Sequence, residues 1–463
     1  MKIKVQKLTI GAVLIAAASA FLFCSGFKKA SDYGNGENGY LKSATYYSDE
    51  WVINFWNSES SHMEEELKQI AEDGFNSIIL VVPWREFQPS MNPQRYNDYA
   101  WEKFDRVMEA AQRQNLKVML RVGYTWDYYS GDNVLERYEK LLYDDGTKRA
   151  WIQYAKRLYE RAAVHENFCG GFITWEDFWN FAENSVFYGS GLAGRKMASK
   201  CGYTQYVKEH YTLEELEEMY QDTFKTYEDV YLPDSLNTYS RKVFYQFYDD
   251  FLNKILAETQ AVFPDLSMEV RLDIDPVKRP DGTLEGVFHD ATFTCGSSGF
   301  TSAMYSVAMG FESNGQELSA AQALAGTGQN LDRLSAANGG KKLYVDQFLF
   351  TDNTPGFEQN AKLTESEKSA YLDGVADIFK AKTLGYAIWT YRDYGDNKLY
   401  NPQFALDKQG WDFSSGSYIE ERDGNKMAVI PPFGKISQNI KKRSAGGNGK
   451  KAHVRFWLEG DGN

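Results

Sequence analysis

The six residues Ser77-Ile78-Ile79-Leu80-Val81-Val82 carry no charge and show no alternation of polar with apolar side chains. Such a strand is apolar on both faces, so both faces are buried, as in a parallel sheet with helices laid over it. An amphipathic stretch follows at 101–114, with Phe104, Val107, Met108 and Ala111 on one face, and then a second apolar run at 117–122. The same unit recurs along the chain. Apolar runs at 51–55, 171–175, 268–272, 303–308, 343–350 and 385–389 complete a set of eight strands. Helical spacing over 64–73, 150–164, 241–262, 318–337 and 364–382 fills the intervals. Eight strands alternating with helices is the number that closes a barrel, so the predicted fold is α/β, a (β/α)8 barrel.

Two regions depart from the repeat. Residues 181–237 form an insertion after strand four, helical over 213–226, on the face where insertions shape a cleft. Between 275 and 301 no helix spacing is found. From 409 the character changes to short β-like runs (411–413, 418–420, 427–430 and 453–458) separated by Gly, Ser and Asp. Fifty-odd residues are too few for a complete sandwich. The N-terminus has Lys2, Lys4 and Lys7, then an apolar run to Phe23, with Ala18-Ser19-Ala20 as a small-residue cleavage site. It reads as a cleaved export signal or an uncleaved membrane anchor. The expected organisation is therefore signal or anchor 1–24, flexible linker 25–45, barrel 46–408 and β-rich segment 409–463, in a secreted or cell-surface chain.

The formal net charge of -13 repels polyanions and argues against nucleic acid as a partner. The five histidines lie far apart, and the four cysteines match neither a zinc site nor a disulfide framework. No phosphate-binding loop, dinucleotide fingerprint or nucleophile elbow is present. Neither a metal nor a cofactor is predicted.

Barrel enzymes carry their chemistry at the C-terminal ends of the strands. Those ends hold Trp84, Arg85 and Glu86 (strand two), Arg121, Tyr124 and Trp126 (three), and Trp175, Glu176 and Asp177 (four). Tyr305 lies on strand six, Asp346 and Gln347 on seven, and Trp389 and Tyr391 at eight, with Asp352 in the loop after seven. Carboxylates set among Arg, Trp and Tyr suit glycoside hydrolysis. That reaction needs two carboxyl groups across the bond, and flat apolar surfaces to hold the sugar.

Four segments in order, "FNSIILVVPW", "GFITWEDFW", "KKLYVDQFLF" and "GYAIWTYRDY" with Asn401-Pro402, resemble strands two, four, seven and eight of clan A glycoside hydrolases, the cellulase-like family 5 group and its relatives. The resemblance covers about residues 48–408. It implies a retaining β-glycosidase acting on a β-linked glycan, with Glu176 as general acid/base and Trp389 as the sugar platform. It also implies that Tyr305 stands where a Tyr bonds the nucleophile. Trp175 replaces the Asn usual before the acid/base, so the contact to the sugar 2-hydroxyl is absent or supplied elsewhere. Gln347 falls where the nucleophilic Glu belongs, and an amide cannot form a glycosyl ester. Asp346 is the expected nucleophile or base. Neighbours on a strand point to opposite faces, so only one of the pair faces the cleft unless a bulge re-aims the other.

The bland reading of Glu176 is an ion pair with Arg85 or Arg121, and that of Asp346 is a structural carboxylate holding an Arg. Trp84, Arg85, Arg121, Tyr124, Trp126, Trp175, Tyr305, Gln347, Trp389 and Tyr391 are the expected substrate-binding residues, with core packing as the alternative for Trp84, Tyr124, Trp126 and Tyr305. A non-catalytic glycan-binding barrel that has lost its nucleophile is the competing function. A surface or assembly protein without a concave aromatic cleft is the third.

Overall fold

The computed structural model describes residues 29–438, apart from 35–38, 126–133, 272–274, 288–297, 307–316, 350–361, 393–398 and a few isolated positions. Eight parallel strands close into one barrel: β1 (Leu41–Tyr46), β2 (Ser77–Val82), β3 (Lys117–Val122), β4 (Phe168–Ile173), β5 (Ser267–Arg271), β6 (Phe300–Ser306), β7 (Lys342–Leu349) and β8 (Thr383–Ile388). Each pairs with its neighbours in sequence, and β8 returns to β1. Every residue of β2 and β4 is buried, as two-sided apolar strands require.

The first strand differs from expectation. The run at 51–55 is not a strand; Val52–Phe55 is one turn of buried helix. The strand is Leu41–Tyr46, and part of it falls in the stretch read as a flexible linker. Its Ser43 concealed it. That side chain points into the barrel, where its hydroxyl meets Ser77 Oγ at 2.6 Å and accepts from the Tyr344 hydroxyl at 2.8 Å. A polar layer satisfied inside the barrel costs little, yet in sequence it reads as loop.

The linker reading also fails at 29–34. Ala30 and Tyr33 are buried, Lys29 pairs with Asp265 at 2.5 Å, and Lys342 Nζ donates to the Ser31 carbonyl at 2.9 Å. Ala30 meets Gly170 near the start of β4, and Ser31 meets Gly299 just ahead of β6. These residues close the N-terminal floor of the barrel.

Helices Met63–Glu72, Asp98–Arg113, Asp145–Ala162, Ser240–Gln260, Ala320–Ala337 and Lys368–Lys382 match the spacing. Asn97 caps the second of them and Asp144 the third, each side chain accepting from the first turn. The insertion after β4 is more helical than its sequence suggests, with Leu192–Cys201, Tyr203–His210 and Leu213–Tyr220. It rests on the helix Ser240–Gln260, where Tyr203 and Tyr206 meet Phe247 edge-on at 5.2 and 5.5 Å. Between β5 and β6 the described residues form a hairpin, Asp275–Lys278 with Leu284–Val287. After β8, two small antiparallel pairs follow, Asp412–Ser414 with Lys435–Ser437 and Tyr418–Arg422 with Asn425–Val429. The β-like run at 453–458 and the N-terminal signal or anchor lie outside the described residues. Cys169 and Cys201 are buried and not disulfide-bonded, and burial pushes both thiols up to about 12.

Candidate active site

At the mouth of the barrel a single guanidinium organises its surroundings. Arg121, next to last on β3, is buried. Its Nε donates to Asp177 Oδ2 at 3.0 Å and its Nη2 to Asp177 Oδ1 at 3.2 Å, the two-pronged geometry that suits Arg and carboxylate. The same Nη2 reaches Thr174 Oγ1 at 3.3 Å and Glu176 Oε2 at 3.4 Å, while Nη1 donates to Gln347 Oε1 at 3.5 Å. Burial alone lowers this guanidinium's pKa. The carboxylates of Asp177, Glu176 and Glu269 outweigh that effect and hold it well above its ordinary value.

The end of β4 supplies the acidic partners through a helix cap. Thr174 is the N-cap of the helix Trp175–Asn184, and its Oγ1 accepts from the Asp177 amide at 3.0 Å. The Thr174 hydroxyl in turn donates to Asp177 Oδ2 at 2.6 Å. Asp177 is fully buried; burial pushes its carboxyl up, against the pull of Arg121 and the Thr174 bond. Glu176, one residue earlier, projects toward solvent with its side chain 26% exposed. One turn of helix thus divides two carboxylates, one held in the barrel and one presented at its mouth.

Strand β7 contains the irregularity that the Asp346-Gln347 pair called for. Against β6, Ala303 pairs with Val345 but Met304 pairs with Gln347, so Asp346 is an extra residue. Against β8, pairing jumps from Val345 to Phe348. This is a β-bulge. It aims Gln347 at Arg121, while Asp346 is also buried.

Aromatic rings complete the mouth. The Arg121 guanidinium lies 5.2 Å from the ring centre of Tyr124 and 5.6 Å from that of Trp389. Tyr124 is buried, which drives its hydroxyl pKa far up. Trp389 is half-buried and packs beside Tyr47 at 5.9 Å. Among the described residues of this cluster, Glu176 and Trp389 are the ones best placed to meet a ligand.

Several expected lining residues lie elsewhere. Trp84 is wholly buried against Tyr138 and Trp151 and bonds Gln88 at 2.7 Å, so it is core. Trp175 is buried too, its Nε1 donating to Asp249 at 2.8 Å. Both rings sit in the first turn of a helix and turn back into the packing. Arg85 belongs to a separate buried group, paired with Glu86 at 2.8 Å and donating to the Tyr400 hydroxyl. Tyr391 turns outward and donates to Asp73 at 2.6 Å. Tyr305 lies on β6 opposite Phe348; its side chain, like Trp126 and Asp352, is outside the described residues.

Asp177 and Glu269 were not singled out as site residues. Asp177 was marked by Thr-x-x-Asp directly after an apolar strand, the signature of a helix N-terminus. Glu269 was marked by a charge in the middle of the strand Ser267–Arg271, where only a satisfied or functional group is tolerated.

No protein-family profile matches the chain, and no curated protein is similar to it. Solved structures are similar. A β-galactosidase from the psychrophilic Marinomonas ef1 aligns with a TM-score of 0.51 at 12% identity, over 76% of this chain and 54% of that one. The exo-β-1,4-mannosidase Op5Man5 from Opitutaceae bacterium strain TAV5 gives 0.47 at 12% identity, over 79% and 55%. GH5_18 from Streptomyces cattleya, in complex with GlcNAc, gives 0.47 at 13%, over 81% and 73%. The chain spans about half the length of the first two. At such identity the likeness is one of fold, and the fold is a (β/α)8 barrel shared with glycoside hydrolases.

Proposed function

We propose that this barrel hydrolyses a β-linked glycan at its C-terminal mouth, with Glu176 as general acid/base and Asp346 as nucleophile or base. The observation that carries the reading is the partly exposed Glu176 just past β4, at the mouth and across the Arg121 guanidinium from the bulged pair of β7. Glu176, just past β4, and Gln347 of the bulged pair on β7 thus stand across the mouth within the span of one side chain and two hydrogen bonds. Trp389 beside the same guanidinium offers an apolar face to a sugar ring.

In this reading Glu176 gives its proton to the leaving oxygen as the glycosidic bond breaks. If Asp346 attacks the anomeric carbon, a glycosyl ester forms and Glu176 then takes a proton from the water that releases it. If Asp346 instead activates water, the configuration inverts in one step. Arg121 orients Glu176 and offsets the charge of its neighbours.

A screen of β-glucans, β-mannans and aryl β-glycosides tests this, with wild type, Glu176→Gln and Asp346→Asn in parallel. Hydrolysis by wild type that falls at least about 100-fold in both variants is the expected result. Gln347 favours a second reading, a glycan-binding barrel without turnover. Calorimetric binding that is unchanged in Glu176→Gln, with no hydrolysis by wild type, would establish it. We also place the chain outside the cytoplasm on the strength of its first 23 residues. Cell fractionation that finds it in the cytosol would overturn that placement.

A further inference from the structure

Glu64, Glu65 and Glu66 follow one another in the first turn of the helix Met63–Glu72, yet of the three only Glu66 is buried. A carboxylate taken out of water is costly unless donors surround it. Glu66 has three among the described residues, and they come from two different loops. The Tyr46 hydroxyl, at the end of β1, donates to Oε2 at 2.9 Å. The Ser48 hydroxyl donates to Oε1 at 3.0 Å. Arg392, beyond β8, donates from Nη1 to the same Oε1 at 3.2 Å. These contacts hold two short segments that carry aromatic rings. Tyr47 stands between Tyr46 and Ser48, so both its neighbours are tied to one carboxylate, and its ring packs 5.9 Å from that of Trp389. Trp389 lies three residues before Arg392. Within that turn the Thr390 hydroxyl donates to the Arg392 carbonyl at 2.9 Å, and the Tyr391 amide donates to the Thr45 carbonyl of β1 at 3.2 Å. The loops after β1 and β8 are thus pinned to one helix, and the Tyr47–Trp389 pair sits where they meet.

We propose that Glu66 is a positioning residue that sets the Tyr47–Trp389 pair, and with it the apolar face that the mouth offers to a sugar ring. The consequence for sugar rests on the role proposed above for Trp389; the positioning itself does not. An ionised carboxylate suits the task because it only accepts, and it does so on two oxygens. One serves Tyr46, and the other serves Ser48 and Arg392. An amide has a single acceptor oxygen, and its NH2 would meet a donor whichever way it turned. Glu66→Gln therefore keeps the shape of the side chain and releases one of the two loops. Arg392→Ala cuts the tie on the β8 side alone. The Arg392 side chain is 40% exposed, so its removal does not open the core.

The test labels the full-length chain with fluorotryptophan and assigns the Trp389 fluorine resonance by its loss in Trp389→Phe. In Glu66→Gln and in Arg392→Ala that resonance should shift or broaden by more than its linewidth, while the other tryptophan signals stay in place. Arg392→Lys should bring it part of the way back. A Trp389 signal that stays put in Arg392→Ala overturns the proposal, whether or not Glu66→Gln folds. A change in every tryptophan signal of Arg392→Ala also overturns it, since the tie would then serve the fold at large. Calorimetric titration with cellohexaose and mannohexaose reads the consequence: affinity for the sugar that binds should fall several-fold in both variants. A displaced resonance with unchanged affinity would break the link to sugar. Failure of the wild type to bind either sugar would count against the glycan reading alone, because the resonance still decides the role of Glu66.

Discussion

The two walls of the barrel mouth are built to different standards. The end of β4 is over-determined: Thr174 caps a helix, bonds Asp177 twice and meets Arg121, which itself grips Asp177 with two nitrogens. The facing stretch of β7 is a bulge in which Gln347 meets the same guanidinium at 3.5 Å, at the limit of hydrogen bonding. One wall holds a carboxylate between a helix cap and a guanidinium; the other turns its side chains through a bulge. In the proposed site the cap and Asp177 fix the helix turn that carries the general acid Glu176, whereas a bulge re-aims the opposing pair.

The comparison can be broken most directly at Arg121. Arg121→Met removes the only cation seen bonded to Asp177 among the described residues. Loss of one partner from a buried pair costs about 3–5 kcal/mol. Urea unfolding should show it, with Arg121→Lys recovering part, because an ammonium lacks the fork that spans both oxygens. A loss below about 1 kcal/mol would mean the pair behaves like a surface one and the β4 wall is not anchored as described.

Asp177→Asn comes next, at about 1.5–3 kcal/mol, the range for a hydrogen bond to a charged group. It should also change the pH dependence. Burial raises the Asp177 pKa above 3.8, so the folded state keeps a proton that the unfolded chain has released. The stability linked to that proton is complete below 3.8 and is lost as pH rises through the folded value. Melting temperatures taken upward from that pH should fall less steeply in the Asn variant. An identical slope would remove Asp177 as the source.

The smallest effect belongs to β7. Gln347→Ala should cost under about 1 kcal/mol, since its bond to Arg121 is long. If it costs as much as Asp177→Asn, the walls are equivalent and the asymmetry is wrong. Gln347→Glu sharpens the point chemically. A carboxylate there gains a charge-assisted bond to Arg121, and cleavage of activated aryl β-glycosides should rise several-fold over wild type.

The barrel was legible in sequence wherever a strand is apolar on both faces, as Ser77–Val82 is. It was misread at Leu41–Tyr46, whose Ser43 is satisfied by partners far away in the chain, and no local pattern can reveal that. The position of Glu176 at the barrel mouth was legible from its place after β4. The roles of Trp84 and Trp175 were not, because a ring just past a strand end can face the mouth or turn back into the core, and helix geometry decides. The bulge at Asp346 was foreseeable only as a condition. A strand's own residues do not disclose where its neighbours lose register.

Residues 29–34 give the molecule a direction. They seal the floor, so Lys29 stands at the end of the barrel opposite the mouth that presents Glu176 and Trp389.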